Sequence, residues 1–497
     1  MPFDITVRHP LYEAFLPSWT LMRDAMDGED AIKAGGKDKN PFKYLPMKSG
    51  ILAMSDDVKR QAAYDAYKLR AEFPEIVAPT VRGATGIMLG KPTTIELPKA
   101  LEPLKAKATQ DGLTLDSLHR RAALELMTTG RYGLLPGVDS GGNPYLAGYV
   151  TESIVNWDAT DQVTDYVVLD ESGAVRDRAT NQWSNEEAYL ECFVENGVYK
   201  ARRWIKTRAG WQTEDEIAAQ DRRRRAISEL PFVFLGANDL SASPDDVPLY
   251  GLAKLAVRVY RLDADYTFAL HMTSEPTPVA IGFDDPAQAI KDGLAPTTIG
   301  ASKLWVLPKG GDAKYLEFSG PGLDAQAKAI DAALSRAVMF SAQILTDNSR
   351  TAESGEAKKL RLSNEQATIK TVALNASAGL EKALKNVAVW MGANPNEVKV
   401  EPDTDFFDHD LTAQEITAIV QGWQQGAYSW RTAFDRLQKG GVIPDDRTAD
   451  DEQELIAEDM EGRDAPPEEL FDPVTGKPLD PTKLPLQIIK QAEEIRR

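Results

Sequence analysis

The side chains with the strongest chemical potential fall in two short runs. Asp403, Asp405, Asp408, His409 and Asp410 form the one ligand-like cluster in the chain. Its carboxylates could hold a divalent ion through oxygen, but it lacks the glycine and the terminal glutamate of a calcium loop. The bland alternative is a solvated acidic turn ahead of a helix. Asp221-Arg222-Arg223-Arg224-Arg225 is the basic run. It fits a contact to phosphate or to an acidic face of a neighbouring subunit, and equally a solvated turn before the strand Pro231–Leu235.

Signatures of catalysis are missing. No G-x-x-x-x-G-K-[ST] loop exists: Gly35-Gly36-Lys37 lacks the earlier glycine, and Asp38 follows the lysine. Without that loop the backbone cannot cradle a nucleotide's phosphates in the usual way. There is no G-x-S-x-G elbow and no H-E-x-x-H pair. The histidines, His9, His119, His271 and His409, are far apart. Cys192 is the single cysteine, which excludes an intrachain disulfide and a cysteine-rich zinc site. The expectation is no enzyme, no cofactor and no metal. An enzyme using Asp405, Asp408 and His409 stands as the alternative.

Composition narrows the class further. With 497 residues the chain has room for two to four domains. Hydrophobic residues make up 42%, as in ordinary globular proteins. No stretch of about 18 uncharged apolar residues exists, so no membrane span is expected, and Met1–Pro10 has no apolar signal core. The net charge of −19 opposes tight binding to DNA, because such binding comes largely from neutralising phosphates.

The elements that carry these residues can be read from periodicity. Residues 1–50 look irregular and turn-rich. A helix is expected over 56–73, capped by Ser55 or Asp56, then a helical piece ending near Gly90 and a strand over Thr93–Leu97. Residues 115–129 form an amphipathic helix stopped by Gly130. Short strands follow: Gly133–Val138, Tyr145–Val150, Tyr166–Leu169, Tyr189–Val194 and Val198–Ile205. Trp183, Trp204 and Trp211 read as core of this α+β part, whose sheet should be mostly antiparallel.

From Pro248 to about Met272 a long helix carries Leu252, Leu255, Val259, Leu262, Tyr266 and Ala269 on a heptad-like stripe. Residues 274–320 break into strand candidates Val279–Phe283, Lys303–Leu307 and Tyr315–Phe318. A second helix covers about Leu323–Leu345, with Ala327, Ile330, Leu334, Ala337, Ser341 and Ile344 on a small, partly polar seam. After the polar stretch Thr346–Glu353 a third helix runs from about Ser354 to Met391. It contains no proline and would span ~55 Å at ~1.5 Å per residue, with Gly379 as a candidate kink. Val398–Glu401 is a strand, 412–424 and 429–439 are a helix pair with Ser429 as N-cap, 450–460 is an acidic helix, and 462–485 is Pro- and Asp-rich.

This order of helix, strand insertion, returning helix, polar loop and very long helix resembles the portal proteins of tailed bacteriophages. Local sequence is similar as well. Tyr64-x-x-Tyr67-x-x-x-Ala71-x-Phe73-Pro74 resembles an early helix of the family. Ala122 to Gly133, with Gly130-Arg131-Tyr132-Gly133, resembles its helix-to-strand step. Asn143-Pro144-Tyr145-Leu146 and Ile154-Val155-Asn156-Trp157 resemble the strands that follow. Gly426-Ala427-Tyr428-Ser429 through Gly441-Val442-Ile443-Pro444, then Asp450 to Leu455, resemble its late helix pair and acidic stretch. The likeness covers roughly residues 55–460.

The resemblance implies an α+β, portal-like fold. An N-terminal arm and wing would occupy 1–245, the first stem helix 246–273, a β-rich clip 274–320, and the second stem helix 321–345. The tunnel loop would occupy 346–354, the long helix and its return 355–395, a helical crown 396–461, and an extended tail 462–497. It implies a ring of about twelve copies at one capsid vertex, built on heterologous contacts. Double-stranded DNA would pass through the ring in packaging and ejection. The implied partners are the major capsid protein, the terminase large subunit as motor, and a head-completion or adaptor protein. The implied location is the virion, after assembly in the bacterial host cytoplasm. An acidic bore with few cations lets DNA slide, where a strongly basic one would hold it. Arg350, Lys358, Lys359 and Arg361 are the candidate channel contacts. They could instead pair with Glu353, Glu356 and Glu365 at helical spacing. Lys328 and Arg336 are weaker candidates. Trp305, Leu307 and Tyr315 are the candidate clip contacts, with packing inside the clip as the alternative. Another phage head structural protein would lack the helix–insertion–helix order.

Overall fold

A computed structural model describes residues 3–139, 141–160, 163–274, 277–295, 305–316, 322–345, 355–404, 406, 413–444 and 446–464. The chain divides into two units, one ending at Phe406 and one beginning at Phe407.

The N-terminal stretch is helical, which corrects the irregular reading of residues 1–50. Helix α1 spans Pro10–Asp27. Pro10 and Pro17 look like breakers in sequence, but Pro10 sits in the first turn, where its missing N–H had no partner to lose. The His9 ring accepts from the Leu11 amide at 3.1 Å and caps the helix. Tyr12, Trp19, Met22 and Ala25 are buried, and this apolar face outweighs the interior Pro17. Short helices α2 (Glu29–Ala34) and α3 (Ser49–Leu52) follow. Helix α4 (Asp57–Arg70) starts where expected, with Asp56 accepting from the amides of Val58 and Lys59. Next come α5 (Val77–Met88), β1 (Thr94–Glu96), α6 (Pro103–Ala106) and α7 (Leu115–Thr129). Thr114 caps the start of α7, and Gly130 closes it at φ 74°, a left-handed conformation that suits glycine.

The strands are β2 (Arg131–Val138), β3 (Pro144–Val150), β4 (Ile154–Thr160), β5 (Val163–Asp170), β6 (Gly173–Arg176), β7 (Trp183–Glu186), β8 (Ala188–Glu195), β9 (Val198–Thr207), β10 (Gly210–Thr213), β11 (Ile217–Ala218) and β12 (Val233–Gly236). One sheet has the order β12-β2-β3 and a larger one β10-β9-β8-β5-β4, with β11 also on β9. β6 and β7 form a separate hairpin. Every pairing among them is antiparallel. Trp204 and Trp211 pack on the core as expected. Trp183 does not: it lies on the β6–β7 hairpin with 67% of its surface exposed, away from the larger sheet.

The chain then enters α8 (Tyr250–Ser274), β13 (Thr277–Ile281), α9 (Pro286–Lys291), β14 (Asp312–Leu316), α10 (Leu323–Leu345) and α11 (Gly355–Met391), and returns through β15 (Lys399–Glu401). β15 pairs with β1, so the end of this unit is stitched to its beginning. The C-terminal half of α11 is packed into the main core. Val372, Ala376, Leu380, Ala383, Leu384 and Val387 are buried there together with residues of α7, β2 and β12. Gly379 is not needed for a kink; a β-carbon there would overlap the Leu235 side chain on β12, so glycine permits the close approach of helix and sheet.

The second unit holds α12 (Ala413–Gln424), α13 (Trp430–Lys439) and α14 (Ala449–Asp464). Ile419, Ala433, Phe434, Leu437 and Ile443 form its small core. Ser429 caps α13 as its position in the sequence led us to expect, and the Tyr428 hydroxyl donates to the Ile419 carbonyl at 2.7 Å.

Candidate functional site

Helices α8 and α10 form an antiparallel hairpin that carries the strand insertion at its far end. Gly251, near the start of α8, lies against Phe340, near the end of α10. The seam on α10 is small, with Ala333 and Ala337 buried and Ala327, Ile330, Leu334 and Ser341 half-buried. Side chains this small let two helices approach closely. The expected stripe is therefore present on both helices, apart from Ile344, whose side chain lies outside the described residues.

The hairpin is anchored at one end. On α8 the buried residues run from Leu252 to Ala264 and stop there. This part is tied to the helices before it. The Tyr67 hydroxyl donates to Asp265 at 2.8 Å, the Glu72 amide donates to Asp263 at 2.7 Å, and the Arg261 guanidinium donates to the Tyr44 carbonyl at 2.7 Å. Lys48 pairs with Asp265 at 2.9 Å and sits over the rings of Tyr67 and Phe268. On α10 the Ser341 hydroxyl meets Thr80 of α5 at 2.7 Å.

Beyond these ties the apolar side chains face outward. Met272, Ile290, Leu294, Val306 and Tyr315 are each more than half exposed. Among the described residues β13 and β14 pair with one another, from Thr277 opposite Leu316 to Ile281 opposite Asp312, and with no third strand. An isolated two-stranded ribbon is marginal in water, and clustered exposed apolar side chains mark an interaction surface.

The candidate clip residues divide. Tyr315 lies on β14 opposite Pro278 and is 53% exposed. Trp305 and Leu307 are half-buried. Among the described residues they stand outside the β13–β14 ladder, and Lys303 and Leu304 of the strand expected over Lys303–Leu307 lie outside the described residues. Sequence reading also missed α9. Its signal is present in Asp285, whose carboxylate accepts from the Gln288 amide at 2.9 Å, with Pro286 beginning the helix.

Of the candidate channel residues, Lys358, Lys359 and Arg361 fall in the first two turns of α11. Arg350 and the polar stretch around it lie outside the described residues. So do Asp405, Asp408 and His409 of the acidic cluster. Among the described residues no group of three or more His, Cys, Asp or Glu side chains is placed to hold a metal ion. Lys328 and Arg336 are exposed on α10.

Two buried cationic or titratable side chains organise the interior behind the hairpin. Arg131, at the start of β2, is 1% exposed. Its guanidinium lies 4.0 Å from the Trp157 ring and 4.7 Å from Phe234, and it donates to the Ala242 carbonyl at 2.7 Å. His9 stacks on the other ring partner, Trp157, at 4.0 Å. The motif pair Gly130-Arg131-Tyr132-Gly133 and Ile154-Val155-Asn156-Trp157 is thus one packed unit, in which Gly133 leaves room for Phe232. Burial pulls the Arg131 pKa down to about 9. His119 on α7 is bonded to Ser377 of α11 at 3.0 Å, and burial lowers its pKa to about 4. Cys192 is buried in the larger sheet, and burial pushes its thiol up to about 12. It is not poised as a nucleophile.

Comparison with known proteins finds one family likeness, over the hairpin and the helix that follows it. The family described as a domain of unknown function, DUF4055, matches residues 248–391, the stretch from α8 to the end of α11. No curated protein matches. Among solved structures, a chain from the neck of a native GTA particle, computed with C12 symmetry, is 14% identical with a TM-score of 0.38. The match covers 73% of this chain and 89% of that one. A chain from the neck of an empty GTA particle, computed with C6 symmetry, is 13% identical with a TM-score of 0.35, covering 75% and 91%. The fold itself is a mixed helix-and-strand chain, and no helix among the described residues is long and apolar enough to cross a membrane.

Proposed function

We propose that the protein is a portal-type ring subunit of a phage-like particle. About twelve copies would surround a channel at one capsid vertex, through which double-stranded DNA enters and leaves. One observation carries this reading: a tightly seamed hairpin, α8 and α10, is anchored at one end and presents a strand insertion with outward apolar side chains at the other, followed directly by the 37-residue α11.

In this reading the hairpin is the stem and residues 274–320 are the clip. The clip's exposed Tyr315 and its neighbours would meet the terminase large subunit and later a head-completion or adaptor protein. The wing and residues 396–461 would face the capsid interior, with the major capsid protein around the ring. Residues 346–354 would form the tunnel loop, with Arg350, Lys358, Lys359 and Arg361 touching phosphates in passing. The chain's charge of −19 supports sliding contact over capture.

The test is DNA content in particles assembled with altered chains. Replacing 277–316 by a short flexible linker should leave the head shell intact and empty, because the motor has no docking surface. Normally filled heads with that variant would contradict the portal reading. Alanine at Arg350, Lys358 and Lys359 together should lower the amount of DNA packaged, and unchanged packaging would remove their proposed contact role.

A further inference from the structure

In the C-terminal half of α11 the exposed side is one residue wide. Leu374, Ala378, Lys382 and Val389 are exposed, with the half-buried Lys385 on the same line, and the positions between them are buried or half-buried. Two hollows open on this line. One, of about 400 Å³, lies beside Leu374, Ala378 and Glu401. The other, of about 570 Å³, lies beside Val389, Trp390 and the segment 225–232. Lys382 lines both, so together they make a groove along ~22 Å of helix, at ~1.5 Å per residue.

The groove has an apolar floor and a basic end. Leu374 is 43% and Val389 49% exposed. The arginine run is held against the end of α11 because the Arg222 amide donates to the Trp390 carbonyl at 2.9 Å. Asp221 turns the run outward: its carboxylate accepts from the amides of Arg223 and Arg225, both at 2.8 Å, and pairs with the Arg225 guanidinium. Arg224 takes φ 63°, a conformation a bulky residue seldom adopts. Of the acids that line the hollows, Asp221 is engaged by Arg225 and Glu381 by Lys385, while Glu229 and Glu401 are exposed. Among the described residues Arg222, Arg223, Arg224 and Lys382 have no carboxylate partner, in a chain that is acidic overall.

Helix α14 has the complementary character. Its sixteen residues contain eight acids and one arginine, and at ~1.5 Å per residue it is ~24 Å long. Among the described side chains its first turn is tied down, by Trp430 donating to the Ala449 carbonyl, by the Thr448–Asp451 cap and by the pairs Arg431–Asp450 and Arg447–Glu452. From Gln453 to Glu458 every side chain is exposed, Leu455 and Ile456 included. A helix of this length is marginal without a surface to pack on.

We propose that α14 of one copy lies in the α11 groove of a second copy. Leu455 and Ile456 would pack on the floor between Leu374 and Val389, and the acids would meet Lys382 and Arg222 to Arg224. Nucleic acid fits less well, because phosphates have no use for an apolar floor. The contact joins two different surfaces, so it is heterologous and repeats from copy to copy. Only its closure into a ring rests on the portal reading.

Two full-length variants test it, Lys382→Cys and Glu458→Cys, mixed and treated with a short bis-maleimide. The native Cys192 is buried and sets the background in each variant alone. The expected product is a covalent dimer, twice the 54.6 kDa chain, formed only in the mixture and mapping to positions 382 and 458. Arg222→Glu with Arg224→Glu on the groove copy should lower its yield about tenfold, since opposed like charges are costly at an interface. Glu454→Lys added to the Glu458→Cys copy should restore part of it. Both groove changes are at exposed side chains, and an unchanged melting temperature confirms an intact fold. No link, a link confined to single copies, a yield insensitive to charge reversal, or arginine-dependent binding of a labelled DNA duplex without the link would each overturn the proposal. Negative-stain images of the same samples separate the two readings. Rings without the link overturn the groove contact alone, and the link without rings supports the contact and removes the ring.

Discussion

His119 shows how a side chain with chemical potential can serve structure alone. It is 2% exposed and fills the space between α7 and α11. Its pKa is about 4 in the fold and 6.5 when free, so the fold favours the neutral ring. That stability is complete above pH 6.5 and is lost as pH falls from 6.5 through 4, on the order of 3 kcal/mol in all. His119→Gln keeps a bond to Ser377 but does not titrate, so its unfolding free energy should vary less with pH in that window. An acid limb as steep as that of the parent chain in denaturant titrations would contradict this. Arg131 leads to a second expectation. Its Nε and one terminal nitrogen have no partner inside the core, so the guanidinium contributes mainly flat contact to Trp157 and Phe234. Arg131→Met should cost less stability than Arg131→Ala, which leaves a cavity worth ~2–5 kcal/mol. Equal losses in a chemical melt would point instead to the charge. Neither role was legible in the sequence: the Arg131 and Trp157 motifs were visible as text, but the stacking that unites them depends on two strands meeting across the core.

At the scale of elements the sequence was most readable where one local rule decided the outcome. Helix α7 ends at the expected residue because Gly130 alone takes the left-handed turn. The hairpin α8 and α10 follows its apolar stripe, and Ser429 and Asp56 cap as expected. Reading failed where tertiary packing overruled a local signal. Residues 1–50 read as irregular, yet the buried face of α1 makes a helix there, and Trp183 suggested core but lies exposed on the β6–β7 hairpin. Gly379 is a further case, a suspected kink that proves to be a point of contact with Leu235. Gly379→Ala should destabilise the chain by ~1–3 kcal/mol through overpacking, and adding Leu235→Ala should recover part of that loss. A double variant that loses the sum of the two single effects would contradict the close-contact account.

On the scale of the whole molecule, the exposed apolar residues of the insertion, the exposed acidic part of α14 and the groove along α11 with the arginine run at its end are surfaces that a lone copy leaves in water. Copies that cover these surfaces pairwise, one face against another, form rings or open filaments. Closure is therefore the central claim, and the most direct test is negative-stain microscopy of the purified full-length chain combined with its mass in solution. The account expects rings with a central opening and a mass about twelve times the 54.6 kDa chain. A monodisperse monomer at micromolar concentration, with no rings across a range of salt, would contradict it.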